Sequence, residues 1–202
     1  MARQSISVDI TNMDEVVRGM KDCQKDLAKG ARRTMLDLAN RGVNTVVRSE
    51  VTKVYNIKKK DVESGAKHYK QECGSISLQG VTIPLFEVTY KGRMLTPIHF
   101  AMTPKKRPAN NRRYTIKWKP LRAGGKKPLV TSGEPGFLAP SGYSSGTPAI
   151  PFQRAGKSRQ PIRAVKRLSV PIMIENDKVA PHIEKAIMER MEDGFNKYMT
   201  LM

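Results

Sequence analysis

The sequence predicts an α+β protein, with long N-terminal helices and a C-terminal helix packed on an antiparallel β-sheet or small barrel that carries long basic loops. Three observations lead there. Apolar residues recur at helical steps between Val16 and Val54, short alternating runs broken by Gly and Pro fill residues 66–175, and a second helical stripe follows Pro181. A chain of 202 residues fits a single domain, divided here into a strand and helices (1–65), a basic β region (66–175) and a terminal helix (176–202). With 39% apolar and 6% aromatic residues, the core is expected to be modest.

Ser5 to Ile10 alternates polar and apolar residues, the period of a short half-buried strand. Asn12 then offers an N-cap oxygen, and Glu15 stands three residues on, where its carboxylate can return a bond to the cap amide. From there Val16, Met20, Cys23, Leu27, Ala31, Met35 and Leu38, and then Val43, Val46, Val47, Val51 and Val54, line one helical side. Gly30 is a candidate break between two helices, while Ala39 and Gly42 would permit a close backbone approach. Met35, Leu38, Val43, Val46 and Val47 are the candidate packing residues of a helical pair that supplies subunit contacts. Past Tyr55-Asn56, residues 57–63 allow a further short helix.

Strands are expected at Ser75–Leu78, Leu85–Tyr90, Ile98–Met102, Tyr114–Trp118 and Ile162–Ile174. Pro104–Asn111 reads as a basic loop. The Gly-, Pro- and Ser-rich stretch Leu121–Thr147 is too long for a turn and is expected to be mobile or to order against a neighbour. Ile183, Ile187, Met191 and Phe195 share a face of the closing helix.

Charge is the most informative property. Lys+Arg number 37 against 18 Asp+Glu, a net +19. Residues 53–170 hold 24 of the basic and only 5 of the acidic side chains, and no acid lies between Glu87 and Glu134. Such an excess calls for a polyanion, an acidic protein face or an anionic membrane. No apolar stretch is long enough for a membrane span, and no secretory leader is expected. Two cysteines, Cys23 and Cys73, suit a reducing place of synthesis rather than a disulfide framework.

Motifs for chemistry are weak. Gly156-Lys157-Ser158 resembles the end of a phosphate loop, yet Pro151 stands where the first glycine belongs, and proline has no amide to give. Ser64 and Lys67 match a serine–lysine spacing without its companion motifs and read as a frayed helix end. His68, His99 and His182 are scattered, and Glu72, Glu87 and Glu134 stand apart, so no catalytic residue, cofactor or metal site is expected. Lys105, Lys106, Arg107, Arg112, Arg113, Lys126, Lys127, Arg154, Lys157 and Arg159 are candidate contacts to an acidic partner or to DNA, and the two fit equally well. Trp118 alternates with Thr115 and Lys117 as an inward strand residue would.

Gly30 to Arg41, the continuation through Arg48 and Val51 to Tyr55-Asn56-Ile57-Lys58-Lys59-Lys60-Asp61-Val62, and Phe152 to Ile162 with Leu168-Ser169-Val170-Pro171 together resemble the prophage minor tail protein Z family of lambda-like phages. The likeness covers most of the chain, with no counterpart for Leu121–Thr147. It implies a non-enzymatic virion protein made in the host cytoplasm, acting in tail completion in the neck, at the head-proximal end. Implied partners are tail terminator, tail tube or neck proteins and further copies in a homo-oligomeric ring, a hexamer among them, with phage DNA as a possible contact and no membrane. The alternative class is a free nucleic-acid-binding accessory protein.

Overall fold

A computed structural model of the chain describes residues 6–8, 25–78, 80–108, 114–130, 133–140 and 149–199. The architecture is α+β. Strand β1 (Ile6–Val8) is followed by helix α1 (Lys25–Asp37), a π-helical turn (Leu38–Gly42), helix α2 (Val43–Val54) and helix α3 (Lys59–Gly65). The expected cap at Asn12 and Glu15, and Cys23 with it, lie outside the described residues.

Ala28, Ala31 and Met35 bury one side of α1. Gly30 does not break the helix as the sequence suggested: α1 runs through it, and the Thr34 hydroxyl donates to the Gly30 carbonyl at 3.0 Å. The break in regularity comes later. Leu38–Gly42 form the π turn, the Val43 amide donating to the Leu38 carbonyl, which adds one residue to that turn of the helix. After it Val43, Val46, Val47 and Val51 lie on the buried side.

Strands β2 (Ala66–Leu78) and β3 (Val81–Gly92) form a long antiparallel hairpin, with β1 on the far side of β3. Gly80 in the connection has φ +74, a conformation that favours glycine. Opposite an irregularity between Glu72 and Gly74, burial along β3 changes phase, from Val81 and Ile83 to Phe86, Val88 and Tyr90. Ala66 and Lys67 belong to this strand, so Ser64 and Lys67 end up on different elements rather than on one frayed helix. Helix α1 packs on β3, and the closing helix α5 (Ala180–Met199) packs on α1 and α2 through Ile183, Ile187 and Met191, with Phe195 beside them. At Gly194 an added Cβ would meet Thr34 Cγ2, which marks the close approach of α5 to α1.

Where β2 leaves α3, Gly92 lies so near that a Cβ on it would stand 2.6 Å from the Gly65 carbonyl oxygen. A backbone oxygen cannot rotate away. Gly92→Ala is therefore expected to cost about 2 kcal/mol, read as a lower denaturation midpoint with an unchanged slope.

Tyr90 is buried in the same core, and its hydroxyl has no hydrogen-bond partner among the described residues. Burial raises its pKa far above the ordinary 10.0, with Arg48 pulling the other way. Removing the orphan oxygen in Tyr90→Phe should stabilise the fold by about 1 kcal/mol at neutral pH. The raised pKa also means that stability intact below pH 10 is lost as the unfolded phenol ionises above it. Equilibrium unfolding of Tyr90→Phe should accordingly show a weaker decline above pH 10 than wild type.

The second half builds two further three-stranded antiparallel sheets, β4 (Ala101–Thr103), β5 (Lys117–Lys119) and β6 (Lys127–Pro128) in one, β7 (Phe137–Pro140), β8 (Ala149–Arg154) and β9 (Ile162–Ala164) in the other. The β region is thus three small sheets, and among the described residues none closes into a barrel. Met102, Ile116, Leu129, Leu138 and Val165 form a second core. Trp118 is half-buried and packs against both cores, edge-on to Phe100 at 5.5 Å, in keeping with its expected inward place.

Four expectations change here. Tyr114–Trp118 is strand only from Lys117, where β5 begins. The run Ile98–Met102 begins as a 3-10 turn (Pro97–His99) and becomes strand only at Ala101. Ile162–Ile174 is strand only to Ala164 and then forms the short helix α4 (Val170–Ile174), because Ser169 caps it, accepting from the Ile172 amide at 3.4 Å, and Pro171 suits a first turn. The stretch 121–147 is partly built in: Leu129 and Leu138 are core residues, and Leu121 bridges Tyr55. Arg122 satisfies the C-terminal end of α2, its Nε donating to the Thr52 carbonyl at 2.6 Å and its amide to Val54 at 2.9 Å. No described helix is long and apolar enough to cross a membrane.

Candidate functional site

Residues 101–170 carry sixteen Lys and Arg and one acid, Glu134. The ion pairs among the described residues all lie elsewhere: Arg48–Glu63, Lys53–Glu50, His99–Asp61 and Lys185–Glu189. Some of the cations in this stretch have structural work. Arg122 caps α2, Arg167 donates to the Leu129 carbonyl at 2.7 Å, and Lys126 Nζ donates to Thr103 Oγ1 at 2.5 Å. Lys105, Lys106, Arg107, Lys127, Arg154, Lys157 and Arg159 are exposed and make no ion pair among the described residues. Arg112 and Arg113 lie outside the described residues.

Three of these cations converge. Arg107, from the β4–β5 connection, faces Arg154 at the end of β8 and Arg159 in the β8–β9 loop across an open groove of about 1120 Å³. Antiparallel pairing explains its floor. Phe137 on β7 sits opposite Phe152 on β8, and Arg154, two residues further along β8 and on the same face, sits opposite Ile162 on β9. The two phenyl rings stack at 6.3 Å, and the Arg154 guanidinium lies 5.8 Å over the Phe137 ring. The opposite face of this sheet turns Leu138 and Pro151 inward.

The walls are fixed by two hydrogen bonds. The Leu138 amide donates to the Tyr114 hydroxyl at 2.9 Å, tying the β4–β5 connection to the outer edge of β7. Gln153 Nε2 donates to the Glu134 carbonyl at 2.9 Å. The result joins apolar floor and cationic rim, with the Glu134 side chain as its acidic member.

Lys105, Lys106, Lys126, Lys127 and Lys157 do not line this groove, so the ten candidate contacts are not one site. The expected helix contacts also need correction. Met35, Leu38, Val43, Val46 and Val47 are each at most 5% exposed and lie in the chain's own core, which leaves them no surface for a neighbouring subunit. Gly156-Lys157-Ser158 forms an exposed turn closed by the Ala155 amide donating to Pro161 at 3.0 Å, with a strand rather than a helix after it, so the phosphate-loop geometry is missing. No cluster of metal-ligating side chains occurs among the described residues. Phe137 and Ile162 are the groove residues that sequence reasoning did not single out, because only strand register brings them beside Arg154.

Comparison with family models, curated proteins and solved structures finds no match to the chain.

Proposed function

We propose that this chain is a structural protein of a tailed phage or phage-like particle, a minor tail or tail-completion component at the head-proximal end that acts by protein–protein assembly. One observation carries the reading: residues 101–170 hold sixteen cations and one acid, and the described cations among them make no ion pair with a described carboxylate. Such a surface repels itself in isolation and is neutralised by an acidic neighbour. Tail terminator, tube or neck subunits, with further copies of the chain in a ring, are the partners that the resemblance of Gly30–Val62 and Phe152–Pro171 implies. The apolar helix face lies in the chain's own core, which supports the charged β half as the docking surface.

Electron microscopy of purified particles with the chain labelled tests this. Density at the head-proximal end of the tail is the expected result, and absence of the chain from intact particles overturns the reading. A second reading, a free nucleic-acid-binding protein, draws on the pairing of Arg154 with Phe137. It requires tight binding to nucleic acid by the isolated chain, falling steeply as salt rises.

A further inference from the structure

We infer that the groove between the two small sheets receives an extended segment of a partner protein in which carboxylates are interspersed with apolar residues. The inference rests on the docking role proposed for the basic half and narrows it to one place and one chemistry. Arg107, Arg154 and Arg159 supply the charge. All three are arginines, whose planar fork matches a carboxylate, whereas the unpaired lysines of the region lie outside the groove. The Arg154 guanidinium lies 5.8 Å from the Phe137 ring centre and makes no side-chain hydrogen bond or ion pair among the described residues, so its donors are available to a ligand.

The floor decides between an acidic peptide and a nucleic acid strand. Stacking a base needs a fully exposed ring, but the aromatic rings of the described lining, Phe137 and Tyr114, are both half-buried, Phe137 with Arg154 at 5.8 Å and Phe152 at 6.3 Å beside it and Tyr114 held by the Leu138 amide. Half-buried Phe137 and exposed Ile162 offer instead an apolar strip suited to aliphatic side chains. The groove is open along its length rather than enclosed, which suits an extended chain. Glu134 repels a carboxylate at its own wall, which places the segment's acids toward the three arginines.

Fluorescence anisotropy on the full chain at near-physiological salt provides the test. The probes are a labelled dodecapeptide of glutamates interspersed with leucine, the same peptide with serine for leucine, and an oligothymidylate of equal length. The leucine peptide is expected to bind best. Arg154→Glu and Arg159→Glu should each weaken it roughly tenfold or more, while Lys127→Glu, the same charge change outside the groove, should weaken it by no more than about threefold. Arg159 makes no hydrogen bond or ion pair among the described residues, so its variant is expected to melt like wild type and guards against misfolding of Arg154→Glu.

Equal losses at Lys127 and Arg159, equal binding of the serine peptide, or no binding of the leucine peptide would each overturn the groove assignment. None of these touches the docking role, which particle localisation decides separately. Tighter binding of oligothymidylate would likewise overturn the groove assignment, in favour of a nucleic-acid ligand.

Discussion

Met35→Asp is expected to yield no cooperatively folded protein, seen as loss of the thermal transition and recovery in the insoluble fraction. Met35 is 1% exposed in the main core, on the side of α1 that packs against β3 and α5. Truncating a buried side chain of this size costs about 2–5 kcal/mol. Placing an unpaired carboxylate there adds several more, or forces it to take up a proton. Against a total stability of about 5–15 kcal/mol, the sum removes the native state. Leu38→Asp, one turn on at the first residue of the π turn, should behave alike. A soluble product with a sharp melt would show that this side of the helix is not buried.

Reversing Lys105, Lys106 and Arg107 to Glu is expected to leave the melting temperature within about one degree and to lower infectious titre on the order of a hundredfold or more. The three side chains are exposed and make no ion pair among the described residues, so the fold does not depend on them. Against an acidic neighbour, each reversal replaces attraction with repulsion, and like charges brought together across an interface cost several kcal/mol. Electron microscopy of the defective particles would separate a failure of tail completion from a later defect. Normal yield and titre would remove this loop from the interface.

Local physics explains what was readable in advance. Helix α5 was legible because Ile183, Ile187, Met191 and Phe195 repeat at the helical period, and within the hairpin Ser75–Leu78 and Leu85–Tyr90 because they alternate, whereas the exposed and largely polar run 67–74 of β2 has no alternation to show it. One signal lay in plain view and points to finer structure than period alone: Ser169 before Val170-Pro171 marks a helix start inside an apparent strand. The π turn carries no such mark, because Ala39 and Val43 keep the ordinary four-residue helical step.

The groove was not legible, because Arg107, Phe137, Arg154 and Arg159 come from separate segments that meet only through strand register and the Tyr114–Leu138 bond. Nor does sequence distinguish Arg122 and Arg167, which bond backbone carbonyls, from the cations around them. Tertiary contact divides one run of like residues into structural and available members.

The place of Trp118 at the junction of the two cores has a practical corollary. As the chain's single tryptophan, its indole gives an emission that depends on the polarity of the seam it occupies. An event that parts the helical half from the two small sheets shifts that light to the red. Docking that leaves the seam closed is spectrally silent, so the native chromophore separates domain opening from surface capture without any added dye.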